Sequence, residues 1–141
     1  MPTWDEVRAR LRGRLRLRFD TQHLVAVLWR LADQQNDQQE VLFEPGQVQE
    51  APWLVITAKV FAQSCLEPDQ ALRHSAGMAA GSLVLVGESY FVRHAMPLSS
   101  LDFDDLERAT QLIAAEAIRL RRSATTTPNA QAPPVYSNYA E

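Results

Sequence analysis

The sequence predicts an α+β fold, an antiparallel sheet packed with helices in the order α-β-β-β-α-β-β-α. Three stretches carry that expectation. Residues 53–61, Trp-Leu-Val-Ile-Thr-Ala-Lys-Val-Phe, alternate as a strand does, with Leu54, Ile56, Ala58 and Val60 in one apolar row. Thr57 and Lys59 mark the other side as partly wet. Ser82-Leu-Val-Leu-Val and Ser89-Tyr-Phe-Val-Arg flank Gly87-Glu88, a Gly-X loop that closes a hairpin. From Asp102 to Arg122, acids open and arginines close an amphipathic helix.

At 141 residues the chain is long enough for one domain with a real core. We place that domain at residues 1–122 and a flexible tail containing Pro, Thr and Tyr at 123–141. No apolar run approaches the ~18 residues of a membrane span. The N-terminus lacks the apolar core of a signal peptide, and Cys65 is the single cysteine, so the expected compartment is the cytoplasm.

In chain order, Thr3 followed by Glu6 forms a capping box, and Trp4, Val7 and Leu11 make a helical stripe. Residues 8–19 also alternate Arg with smaller or apolar residues. We therefore read a helix through about Arg12, loosening at Gly13, then an extended segment with Leu15, Leu17 and Phe19. Residues 23–33 suit a helix through Leu24, Leu28 and Leu31, or a strand through Val25, Val27, Trp29 and Leu31. The polar run 34–38, leading into Glu40–Glu44, decides for a hairpin, with Pro45-Gly46 bounding its second strand. Pro68 opens a second helix beside two acids, and Gly81 would stop it at the C′ position. Its stripe comprises Ala71, Leu72, Ser75, Met78 and Ala79.

The Gly87-Glu88 turn, read as type II′, sets the register of the closing hairpin. Val86 faces Ser89, Leu85 faces Tyr90, Val84 faces Phe91 and Leu83 faces Val92. Both faces then carry apolar side chains, so something must pack on each, one candidate being a second subunit. In the last helix Phe103, Leu106, Ile113, Ala117 and Leu120 form the buried stripe, widened by Ala109 and Leu112. Asp104 and Arg108 are spaced for an i, i+4 pair.

No catalytic, cofactor-binding or metal site emerges. His23, His74 and His94 lie in three elements without metal-motif spacing, and Cys65 belongs to no nucleophile signature. The five glycines are scattered, so no phosphate loop exists. Arg8, Arg10, Arg12, Arg14, Arg16 and Arg18 form the strongest charge feature. They could bind nucleic-acid phosphates, but the net charge is −3 and no aromatics interleave with them. A solvated face paired to acids of the last helix accounts for them better.

Three segments resemble the small α+β fold of class I type III secretion chaperones and of the YbjN-like bacterial sensory transduction regulators. These are Glu67-Pro-Asp-Gln-Ala-Leu-Arg-His-Ser-Ala-Gly-Met-Ala-Ala-Gly81, Tyr90-Phe-Val-Arg-His-Ala-Met-Pro-Leu98 and Leu101-Asp-Phe-Asp-Asp-Leu-Glu-Arg-Ala109. The resemblance implies a cytosolic homodimer without enzymatic activity or cofactor, whose secretion members hold a segment of a partner protein. This chain departs from them in its arginine-rich first helix and its Pro-Tyr tail. The expected function is thus a protein-binding module, chaperone-like or a regulatory adaptor, that acts as a homodimer. The alternative is a nucleic-acid-associated regulator using Arg8 to Arg18. Interface candidates are Leu72, Ser75, Met78 and Ala79 on the second helix, with Val84, Val86 and Phe91 on the hairpin.

Overall fold

The computed structural model describes residues 2–30, 38–78 and 80–126. It contains α1 (Trp4–Arg14), β1 (Leu17–Asp20), β2 (Val25–Arg30), β3 (Gln38–Val48), β4 (Ala51–Ala62), α2 (Pro68–Ala76), β5 (Ser82–Val86), β6 (Ser89–Pro97) and α3 (Phe103–Thr126). Short 3-10 turns at Gln63–Cys65 and Leu98–Ser100 join β4 to α2 and β6 to α3. The six strands form one antiparallel sheet in the order β1-β2-β3-β4-β6-β5. The α+β class therefore holds, with one strand more than the sequence order anticipates. The extended segment after α1 is long enough to pair with β2.

Helix α1 starts as its capping box dictates: the Thr3 hydroxyl accepts from the Glu6 N–H at 3.2 Å, and Glu6 Oε2 accepts from the Thr3 N–H at 2.7 Å. Gly13 does not loosen it; the helix ends at Arg14, with Leu15 extended. Val7 and Leu11 are buried. The turn expected at 34–38 lies mostly outside the described residues, but β2 and β3 pair from Val25↔Phe43 to Arg30↔Gln38, as a hairpin requires.

Pro45-Gly46 does not end β3. Pro45 pairs with Leu54 and Gly46 with Trp53, and the chain turns only at Gln49-Glu50. Both turn residues have positive φ, 50° and 67°, the requirement of a type I′ hairpin usually met by Asn or Gly. Proline is tolerated at 45 because β2 stops at Val25↔Phe43, so β3 has one neighbour there. Beyond β2 and β6, the ends of β3 and β4 form a two-stranded arm.

The core lies on one face of the sheet. Val25, Val27, Val41, Phe43, Leu54, Ile56, Ala58, Leu83, Tyr90 and Val92 meet Val7 and Leu11 of α1, Ala71 of α2 and Leu106, Ile113, Ala117 and Leu120 of α3. A bulge between Lys59 and Phe61 turns Phe61 inward as well. Its ring meets Tyr90 edge-on, centroids 5.7 Å apart at 83°. The Tyr90 hydroxyl, within this apolar layer, donates to the Leu66 carbonyl at 2.9 Å.

The β5–β6 register is the one the turn predicts, from Val86↔Ser89 to Leu83↔Val92. Gly87 has φ +61° while Glu88 does not take positive φ, in keeping with type II′. Helix α2 is shorter than expected. It ends at Ala76 with Gly77 as its cap, so Gly81 is not its C′ residue but a positive-φ entry to β5. Helix α3 is longer, running through Thr126 past Arg122; residues 127–141 of the expected tail lie outside the described residues. The side chain of Asp102 accepts from the Asp104 N–H at 2.8 Å and caps it. Leu112 is exposed rather than widening the stripe, and Thr110, Ala114 and Ile118 are buried instead. The Thr110 hydroxyl is satisfied by the Leu106 carbonyl one turn back. Arg108 pairs with Asp105 at 2.8 Å, not with Asp104.

Candidate protein-interaction surfaces

Alternation places Leu28, Leu42, Phe91 and Val84 on the face opposite the core. None belongs to the core cluster, and every helix contributing to that cluster packs on the other side. Among the described residues, the chain's own helices thus pack on one of the two apolar faces. This face is partly covered, with Ala26 and Val55 buried on it, and it is not uniformly apolar. Thr57, Lys59 and Arg93 share it, as does Glu40, whose carboxylate takes Arg18 at 3.1 Å. Burial pushes the Glu40 carboxyl up, and the nearby Arg18 partly offsets this.

A second apolar surface lies at the β5 edge. Leu72 on α2 is 72% exposed, Val86 54% and Leu85 42%, values far above those of core leucines and valines. The other interface candidates serve the fold in part. Ser75 accepts from the Leu83 N–H at 2.9 Å, so α2 satisfies one outward group of this edge strand. Met78 follows the helix rather than standing on it, and packs against the core. Val84 and Phe91 are half-buried on the face away from the helices. Ala79 lies outside the described residues.

The six arginines do not act as one patch. Arg12 and Arg8 share Asp20, at 2.6 and 3.1 Å. Arg14 reaches Glu107 of α3 at 3.0 Å, and Arg18 takes Glu40. Arg10 lies over the Phe103 ring, and Arg16 is exposed. Only Arg14 pairs with an acid of the last helix; the sequence hides Asp20 and Glu40 because strands, not helix spacing, bring them close. With four of the six cations already paired to carboxylates, little is left for a phosphate backbone.

The Arg12 hydrogen bonds hold the Asp20 carboxyl below its ordinary value; partial burial opposes this, and Arg8 adds to the lowering. A depressed carboxylate contributes stability above its unfolded pKa and loses it as pH falls through the folded one. Asp20→Asn is therefore expected to destabilise the protein at neutral pH, with the deficit closing as pH falls through and below the ordinary carboxylate range. Urea midpoints across that range check it, and a deficit independent of pH would overturn it.

Two shallow clefts flank α1. One, about 470 Å³, is walled by Pro2, Trp4, Pro45, Pro52 and Leu98. The other, about 570 Å³, opens where α1 meets the start of α3. No group of three or more His, Cys, Asp or Glu that could hold a metal occurs among the described residues. Cys65, His74 and His94 lie on the first 3-10 turn, on α2 and on β6. No helix among the described residues is long and apolar enough to cross a membrane.

The six-stranded antiparallel sheet with its three helices is a chaperone-like α+β fold. The comparison that carries this is with a chain in the structure of the HopA1–SchA chaperone–effector complex. The two align with a TM-score of 0.52 at 17% identity, over 82% of this chain and 88% of that one. The likeness is one of fold. No known family profile matches the sequence, and no curated protein sequence does either.

Proposed function

We propose that the protein is a non-enzymatic binding module that works as a homodimer in the cytoplasm and holds a segment of a partner protein. The observation that carries this is the sheet face away from the helices, where Leu28, Leu42, Phe91 and Val84 stay only half-buried among the described residues while all three helices cover the other face. Apolar surface of this kind marks interaction sites on soluble domains. The β5 edge with Leu72, Leu85 and Val86 supplies the surface for a second copy, and the neighbouring sheet face is continuous with it. That the comparison chain comes from a chaperone–effector complex supports a client of the same kind here, a segment of another protein. A kinship with YbjN-like domains leads to the same reading with a regulatory client. The nucleic-acid alternative is disfavoured by the carboxylates that occupy Arg8, Arg12, Arg14 and Arg18.

Phe91→Asp sets a charge on that face beside Val84 without touching the core cluster. Light scattering on the full chain is expected to show a dimer for the parent, and monomer or soluble aggregate for the variant. A folded variant of unchanged mass would overturn the proposal.

A further inference from the structure

We propose that the cleft between α1 and α3 is a subsite for an acidic residue of the client, an Asp or Glu beside an apolar side chain. This rests on the protein-binding reading above. Arg10 projects from α1 with its guanidinium carbon 5.2 Å from the centroid of Phe103, the first residue of α3. At that distance the ring face attracts the cation and helps hold the guanidinium at the cleft. Its Nε is buried and has no hydrogen-bond partner among the described residues. A buried donor left unpaired is costly, and a guanidinium edge matches a carboxylate in two parallel hydrogen bonds.

The neighbouring cations are already committed. Arg8 and Arg12 hold Asp20, Arg14 holds Glu107 and Arg18 holds Glu40, while Arg10 has no carboxylate partner among the described residues. The cleft, about 570 Å³, is walled by Pro2, Ala9 and Phe103, an apolar lining suited to the residue next to the acid. Glu6 also lines it, with one oxygen held by the Thr3 N–H. Its charge opposes an anion, so the subsite has a built-in means of testing its sign. Glu107 keeps one buried oxygen unpaired, but its charge is met by Arg14.

The probe is N-acetyl-Leu-Asp N-methylamide, titrated into the full chain while the Arg10 Nε–Hε NMR signal is followed. A saturable shift of that signal is expected. The Asn counterpart of the probe should bind roughly tenfold more weakly, the worth of a charge-assisted hydrogen bond. Arg10→Gln, read through the Ala9 and Phe103 amides, should lose a similar factor, and Glu6→Gln should bind more tightly. No saturable shift, equal binding of the Asn probe, or a stronger response to inorganic phosphate would each overturn the proposal. Because Arg10 stands away from the β5 edge, failure here would leave the homodimer intact and the broader reading unharmed.

Discussion

Replacing Gln39 by Ala is expected to cost about 3 kcal/mol of folding stability, a loss of the size usually seen for truncating a large core side chain. Gln39 is 1% exposed and its amide works at both ends. Its Oε1 accepts from Arg121 Nη1, and its Nε2 donates to the carbonyls of Glu40 and Lys59 at 2.9 and 3.2 Å. Arg121, itself buried, also donates to the Gln38 carbonyl at 3.2 Å. The truncation would take a buried guanidinium away from one of its acceptors, and two strand carbonyls away from a donor. Domains of this size have about 5–15 kcal/mol in total, so the variant should sit near the lower limit of stability. The double variant Gln39→Leu with Arg121→Leu should recover the part of the loss that comes from the stranded guanidinium, while the Glu40 and Lys59 carbonyls lose their donor in either case. Urea unfolding measures both. A single variant within about 1 kcal/mol of the parent would show that the pair is not what fastens α3 to β3.

Gly81→Ala should cost nearly as much, for a different reason. The residue has φ +70°, where an L side chain costs about 1–2 kcal/mol. An added Cβ would also stand 2.7 Å from the Arg93 carbonyl oxygen and 2.8 Å from Ile113 Cδ1. The first neighbour is backbone of β6 and cannot swing aside, so about 3 kcal/mol in all is expected. Gly87 supplies the comparison: φ is +61° but nothing lies within 4 Å of its Cβ position. Gly87→Ala should therefore show the conformational cost alone, about 1 kcal/mol. Equal losses at the two positions would mean that close packing at Gly81 contributes nothing.

What was legible in the sequence was whatever local chemistry settles. A capping box needs two side chains three residues apart, and a Gly-X loop between apolar runs leaves one register. The start of α1 and the whole β5–β6 pairing follow from such rules. The misreadings arise where a neighbour overrides the local signal. Pro45-Gly46 looks like a stop, but a proline continues a strand that has lost its partner on one side. Gln49-Glu50 carries no turn signature, and the pairing on either side obliges both residues to take positive φ. Gly81 reads as a helix stop because the close approach of Ile113, thirty-odd residues on, is invisible in one dimension. The surfaces were legible to the extent that alternation shows which side chains share a face. Which face the helices would take was not, since that depends on how all three lie together. The singular position of Arg10 among six arginines was hidden too, because Asp20, Glu40 and Glu107 had first to be brought to its neighbours.

The arm formed by the ends of β3 and β4 has a bearing on how this protein survives at high concentration. Pro45, Pro52 and Pro97 fall where β3, β4 and β6 have each lost a flanking strand. A foreign strand arriving at these margins would find ring carbons where it needs N–H groups, and the ladder could not be extended. The ribbon ends are thus denied to copies of the chain. Protection of that sort against fibre growth matters for a sheet whose helices, among the described residues, pack on one face only.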